Sequence, residues 1–207
     1  MNNVQPGVNR GQFLRNAAKG GIVLASAGSV LASVEGAAFA ASGSAAATSS
    51  DITTLQAAYT AESLAVVVYG AIIKNFGAFR HPKLENKDYF VAALKNEKDH
   101  KAFLASALGS KTPKGLKFHI PASVTRTGQS LLNTGVALET AFVEAYLGAV
   151  QTFSSLDLKV TAAKVAANEA SHFSFFDAAA GGHGVLPSVP KSDTIPNTVK
   201  KLRPFLA

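Results

Sequence analysis

From Asp51 onward the apolar residues recur at spacings of three and four rather than two, the period of a helix face and not of a strand. Four long segments carry this pattern. The first starts near Asp51, where Ser50 or Asp51 is placed to cap, and ends at Gly77; its stripe is Leu55, Tyr59, Glu62, Ala65 or Val66, Tyr69 and Ile73. The second runs from Asn86 or Lys87 to Leu108, with Gly109 as a C-terminal cap. Its stripe is Phe90, Leu94, Glu97, His100 or Lys101, Leu104 and Leu108. The third begins after Pro121 and continues to Phe153, with Leu131, Gly135, Leu138 or Glu139, Phe142, Tyr146 and Val150. The fourth spans Leu156 to Ala180 and stops at Gly181-Gly182, with Ala162, Val165 or Ala166, Glu169, His172 or Phe173, Phe176 and Ala180.

The connections set the expected topology. Two or three residues join the third and fourth segments, which makes them antiparallel neighbours. The second and third are joined by "GSKTPKGLKFHIP", residues 109–121. Extended, that link reaches about 40 Å, and a helix of this size is about 33–38 Å long. It can therefore travel the length of the molecule. The expectation is an all-α four-helix bundle of two antiparallel pairs joined by one long crossover.

One feature of the stripes does not belong in an apolar core. Each carries a Glu in its middle, and two of them read Asn-Glu-x-x-His: "NEKDH" at 96–100 and "NEASH" at 168–172. An unpaired buried carboxylate disfavours folding by several kcal/mol or is forced to protonate. Two divalent cations remove that difficulty. A Glu and a His three residues apart point the same way, one turn apart. Glu62 and Glu139 from the other two helices complete the set. Four Glu and two His form the inventory of a dinuclear carboxylate site inside a four-helix bundle. A faint internal repeat supports the pairing: "AESLAVVVY" at 61–69 aligns with "LETAFVEAY" at 138–146, so Glu62 falls on Glu139 and Tyr69 on Tyr146.

Glu144 rivals Glu139, but it lies about 140° further round the helix, beside the core stripe. Tyr69 and Tyr146 lie two turns from the carboxylates on the same face, as core packing or as redox relays. Asp177 is placed as a partner for a ligand His. His81, His119 and His183 fall in loops beside Pro or Gly, and Asp99 points away from His100.

Composition narrows the chemistry. There is no cysteine, which excludes disulfides, iron–sulfur clusters, thiolate zinc and Cys nucleophiles. The net charge is +7, but the Lys residues are scattered and do not alternate with aromatics, so no nucleic-acid partner is expected. Residues 1–40 read as an export signal. A basic stretch with Arg10, Arg15 and Lys19 precedes an apolar run and "AFA" at 38–40. "NRGQFLR" resembles a twin-arginine motif, with Gly11 where the second Arg would stand. Residues 41–50 read as a flexible linker, 51–181 as the bundle and 182–207 as a tail whose last amphipathic turn either packs on the bundle or serves a partner. The expected location is exported, periplasmic or extracellular, with no stable membrane span once the signal is removed.

The stretches "DITTLQAAYTAESLAVVVYGAII", "LKNEKDHKAFLASALG" and "ANEASHFSFFDAAAG" resemble the ferritin-like proteins, the superfamily of rubrerythrins, bacterioferritins and manganese catalases. They are most similar to its exported group that includes desiccation-related proteins. The resemblance covers residues 51–181. It implies one half-site of Glu62, Glu97 and His100 and another of Glu139, Glu169 and His172, although Phe142 stands where some of these families have a further carboxylate. It implies a bound metal pair, iron first and manganese second, acting on oxygen or peroxide or handling iron. A homodimer is one assembly it allows. The alternative is a non-catalytic exported stress-protection protein that has kept the bundle without turnover. A storage cage fits a leader and tail poorly.

Overall fold

A computed structural model of the chain describes residues 47–78 and 87–206. The leader expected at 1–40, most of the linker expected at 41–50, and His81 lie outside the described residues. Six α-helices follow in order: α1 Ser49–Lys74, α2 Lys87–Leu108, α3 Ala122–Thr125, α4 Gly128–Thr152, α5 Leu156–Ala180 and α6 Ile195–Lys201. Among the described residues there is no β-strand, only one isolated antiparallel bridge between Phe118 and Leu206.

Helix α1 starts two residues earlier than the pattern suggests. Thr48, not Ser50 or Asp51, is the cap: its hydroxyl accepts from the Asp51 amide at 3.2 Å. Asp51 reaches back and accepts from the Thr48 amide at 2.8 Å. This reciprocal box satisfies two amides that a helix start leaves open. The other oxygen of Asp51 accepts from the Ser154 amide at 2.9 Å, so one carboxylate ties the start of α1 to the turn between α4 and α5. The third segment is not one helix from Pro121. It breaks at Arg126–Thr127, where Thr127 turns extended and its hydroxyl accepts from the Ser130 amide at 3.0 Å. A Thr able to cap competes locally with helix continuation. Helix α5 has the expected bounds, with Ser155 capping and Gly181 left-handed at its end.

Helix α1 packs along α2, and α4 along α5. Tyr69 of α1 meets Glu139 of α4, and Tyr146 of α4 meets Glu62 of α1, so α1 and α4 run antiparallel. Helix α2 is therefore parallel to α4. The chain must travel from Leu108 at one end to Gly128 at the other, as the long crossover anticipates.

The core is divided. One apolar cluster includes Leu64, Ile72, Phe90, Leu131, Phe142 and Phe176. The other includes Leu55, Leu104, Leu108, Phe153, Leu158 and Val165. Each fully buried side chain of this size contributes about 1.5–3 kcal/mol. Helix α1 is the described helix whose length and mean hydropathy, 1.3, match a membrane span. Here half of that window is buried inside the protein, and Glu62 stands in its middle.

The tail packs on the bundle. Helix α6 lies on both α1 and α4, with Ile195, Leu202 and Phe205 buried. Asp193 donates its amide to the Glu144 carbonyl at 2.9 Å. The close passage requires Gly148, because a Cβ there would lie 1.9 Å from the Asp193 carbonyl oxygen. The His119 amide donates to the Phe205 carbonyl at 3.0 Å and fixes the crossover to the chain end.

Burial opposes the charge on Asp51, but hydrogen bonds from Ser154 and Thr48 outweigh it and hold the carboxyl below its usual range. A lowered folded pKa gives stability that is present at neutral pH and lost as pH falls through the folded value. Asp51→Asn is expected to lower the unfolding free energy by about 2 kcal/mol at pH 7. In urea melts the gap from the parent should shrink below about pH 4.

Candidate metal centre

The layer between the two apolar clusters is polar. Glu62 comes from α1, Glu97 and His100 from α2, Glu139 from α4, and Glu169 and His172 from α5. None is more than 4% exposed. Helical spacing places them there. Each sits on the same stripe as the Leu and Phe residues one and two turns away, and burying those anchors buries the carboxylate with them.

The six side chains form two overlapping groups: Glu62, Glu97, His100 and Glu169; and Glu97, Glu139, Glu169 and His172. Within each group one ligand atom per residue lies within 4.8 Å of the others. Glu97 and Glu169 belong to both. His100 Nδ1 is 3.0 Å from Glu169 Oε1, 3.7 Å from Glu62 Oε2 and 3.8 Å from Glu97 Oε2. His172 Nδ1 is 2.9 Å from Glu97 Oε1, 3.0 Å from Glu169 Oε2 and 3.8 Å from Glu139 Oε2. The expected convergence of all six is what the fold produces.

His172 Nδ1 and Glu169 Oε2 are hydrogen-bonded at 3.0 Å, but most of the other atoms lie close without the alignment of a hydrogen bond. Among the described residues, seven buried side-chain polar atoms lack a hydrogen-bond partner, and six of them belong to this cluster. They are Glu62 Oε2, both oxygens of Glu97, His100 Nδ1, Glu139 Oε2 and Glu169 Oε1. A buried acceptor left open costs about 1–3 kcal/mol, so such concentration in one place asks for a cation to accept the lone pairs. The donor set, oxygen-rich with imidazole and without sulfur, suits a hard or borderline divalent cation.

The electrostatics describe the same strain. Burial and the neighbouring charge of Glu97 push Glu62 up to about 7. Burial and Glu169 push Glu139 well above the usual carboxylate range. Burial also works against Glu97 and Glu169, yet the two imidazoles hold both below the usual value. Burial opposes charge on His100 and His172, but the carboxylates around them raise both well above the ordinary value. Without a metal, burial and mutual repulsion favour the neutral form of Glu62 and Glu139, and the surrounding carboxylates favour the charged form of both imidazoles.

Tyr69 and Tyr146 do more than pack. The Tyr69 hydroxyl donates to Glu139 Oε1 at 2.8 Å, and the Tyr146 hydroxyl donates to Glu62 Oε1. Each helix of the α1–α4 pair supplies the tyrosine that orients the other's carboxylate and leaves Oε2 aimed inward. The repeat put both residues in register, but it did not reveal this exchange. Asn96 was also missed: its side-chain amide lies 3.3 Å from His172 Nε2. The signal was the Asn preceding each Glu-x-x-His.

The other candidates lie elsewhere. Glu144 pairs with Lys201 at 3.0 Å on the surface, outside both groups. Asp177 accepts from the Gly184 amide at 2.8 Å and closes the turn after α5 instead of meeting a histidine. Asp99 pairs with Lys95 at 2.6 Å. His119 and His183 sit in the crossover and in the turn after α5, away from both groups.

Residues 50–182 match the family model of the ferritin-like domain. No curated protein matches the chain.

A raised carboxylate pKa destabilises the fold above the unfolded value, and progressively so until the folded value is passed. Glu139→Gln keeps the shape and removes the charge. In the chelator-treated protein it is expected to raise the thermal midpoint by several degrees at pH 8. The gain should fade toward about pH 4.5. Scanning calorimetry of parent and variant at the two pH values checks this.

Proposed function

The chain belongs to the ferritin-like domain family, and from that premise we propose that its buried Glu/His layer holds two divalent metal ions, iron first and manganese second. The protein would use them to act on dioxygen or peroxide or to handle iron. The observation that carries this reading is the set of unpartnered oxygen and nitrogen atoms converging from four helices. When bound, iron supplies one-electron chemistry toward an oxidant.

The rest is the work of the chain. Glu97 and Glu169, which occur in both groups, would help hold both ions. Glu62 with His100 would close one side, and Glu139 with His172 the other. Tyr69 and Tyr146 hold the outer oxygens of Glu139 and Glu62, so neither carboxylate needs to reorganise to ligate. The apolar clusters above and below exclude water, which strengthens every charge interaction in the layer. Four carboxylates and two dications would balance, leaving both imidazoles neutral. The leader reading of residues 1–40 adds that this takes place outside the cytoplasm. The rival reading, a non-catalytic stress-protection bundle, predicts no metal dependence.

Elemental analysis after anaerobic ferrous loading is expected to find about two ions per chain, and Glu97→Gln with Glu169→Gln about none. Fewer than about 0.2 ions per chain in the parent would contradict the proposal.

Metal ions would compete with the protons that the surroundings favour on His100, His172, Glu62 and Glu139. Protons compete less as pH rises, so affinity should strengthen from pH 6 to pH 8, with net proton release. Titration calorimetry in buffers of different ionisation enthalpy measures that release. Binding with no proton release would contradict the assigned ligands.

A further inference from the structure

An ion bound for the Glu/His layer has to cross a closed surface, since none of the six ligands is more than 4% exposed. The two apolar clusters block the ends of the bundle. Two of its four seams are closed by direct packing, α1 on α2 and α4 on α5. The seam between α2 and α5 is plugged from within. Asn96 of α2 lies 3.3 Å from the outer nitrogen of His172, and Tyr89 of α2 stacks on Phe175 of α5 at 3.7 Å. The fourth seam differs. Helices α1 and α4 touch sparsely, and α6 bridges them. Ile195 and Val199 of α6 join the apolar cluster on one side of the layer, and Leu202, just past the helix, joins the cluster on the other. Helix α6 therefore crosses the level of the layer from outside, over the two helices that carry Glu62 and Glu139. Thr198 on its inner face is 1% exposed. Its one hydrogen bond among the described residues is long, 3.4 Å to the Thr194 carbonyl.

This cover is lightly held. It is a helix of seven residues, and short peripheral elements open at lower free energy than the core. On its outer side Lys201 pairs with Glu144 at 3.0 Å and with Asp193 at 3.1 Å, and half-exposed ion pairs of this kind stabilise little. Inside, the poorly bonded Thr198 hydroxyl works against docking. The geometry points to α6 as a strap over the metal layer: it lifts on its own while the bundle stays folded, and the ion enters between α1 and α4. An ion arriving by this seam meets the carboxylates of Glu62 and Glu139 before the imidazoles. One arriving between α2 and α5 meets the outer nitrogen of His172 first. When α6 settles again, the layer is dry. The inference rests on the proposed metal site and adds how that site is reached.

Gly148 offers the test. A Cβ there would lie 1.9 Å from the Asp193 carbonyl oxygen, so Gly148→Ala pushes the start of the strap off α4. Within α4 itself alanine favours the helix, and no ligand is touched. In the chelator-treated protein, the Val199 and Leu202 amides should exchange with deuterium while the centres of α1 and α4 stay protected, and Gly148→Ala should speed that exchange about tenfold or more. Exchange of these amides only together with the whole bundle overturns the strap whether or not metal binds. Anaerobic ferrous uptake, stopped at intervals with a chromogenic chelator, should also be about tenfold faster in Gly148→Ala, at an unchanged final number of ions. Thr198→Val removes the hydroxyl and keeps the shape, and should slow both exchange and uptake. Uptake that stays constant while the exchange of α6 changes places the entrance elsewhere and overturns the inference. If Gly148→Ala does not fold, Leu202→Ala loosens the other end of the strap and replaces it. A parent whose α6 opens but which takes up no ferrous iron defeats the metal reading, and the strap's purpose with it.

Discussion

Four carboxylates share one dry layer of this bundle, and their mutual repulsion is the constraint to which the rest of the structure answers. Two like charges about 4 Å apart cost about 4 kcal/mol at an effective dielectric near 20. That exceeds what any one buried Leu or Phe contributes. The layer holds Glu62, Glu97, Glu139 and Glu169, all at most 2% exposed. Among the described residues no Lys or Arg is buried. Among the described residues the cations within reach are His100 and His172, whose imidazoles must be protonated to serve. Protons on the histidines and on two glutamates offer one settlement, and two dications offer another that also satisfies the open lone pairs.

The fold turns this local problem into a symmetric one. Antiparallel α1 and α4 exchange tyrosine-to-glutamate bonds, and antiparallel α2 and α5 bring Glu97 to His172 and Glu169 to His100. That exchange requires α2 and α4 to be parallel, hence the crossover, hence the tail that ties the crossover to the bundle through the His119–Phe205 bond and covers the α1–α4 seam. Symmetry stops at the ligands. Aromatics seal one histidine and a small apolar cavity opens beside the other, so equivalent side chains meet different environments.

Much of this was legible in the sequence, because period and chemistry agreed. The stripes placed Glu62, Glu97, Glu139 and Glu169 inside, and the link after Leu108 was long enough to span the bundle. What was not legible depends on contacts between distant residues. Nothing in the spacing says that Tyr69 serves Glu139 instead of Glu62, or that Glu97 and Glu169 belong to both groups, since both facts follow from how α1 crosses α4 and α2 crosses α5. Local competition hid the rest. Thr48 and Thr127 outcompeted their neighbours as caps, so α1 begins early and α4 late. Asp177 was drawn to the Gly184 amide, seven residues away, and not to a histidine.

The most direct test of the central claim is anomalous diffraction from crystals grown with ferrous iron, recorded at the iron edge. The account predicts two peaks about 3.5–4 Å apart, one within reach of His100 and one of His172, with Glu97 and Glu169 between them. A layer without anomalous signal, its imidazoles hydrogen-bonded to the carboxylates they now crowd, would show that protons alone hold the core together.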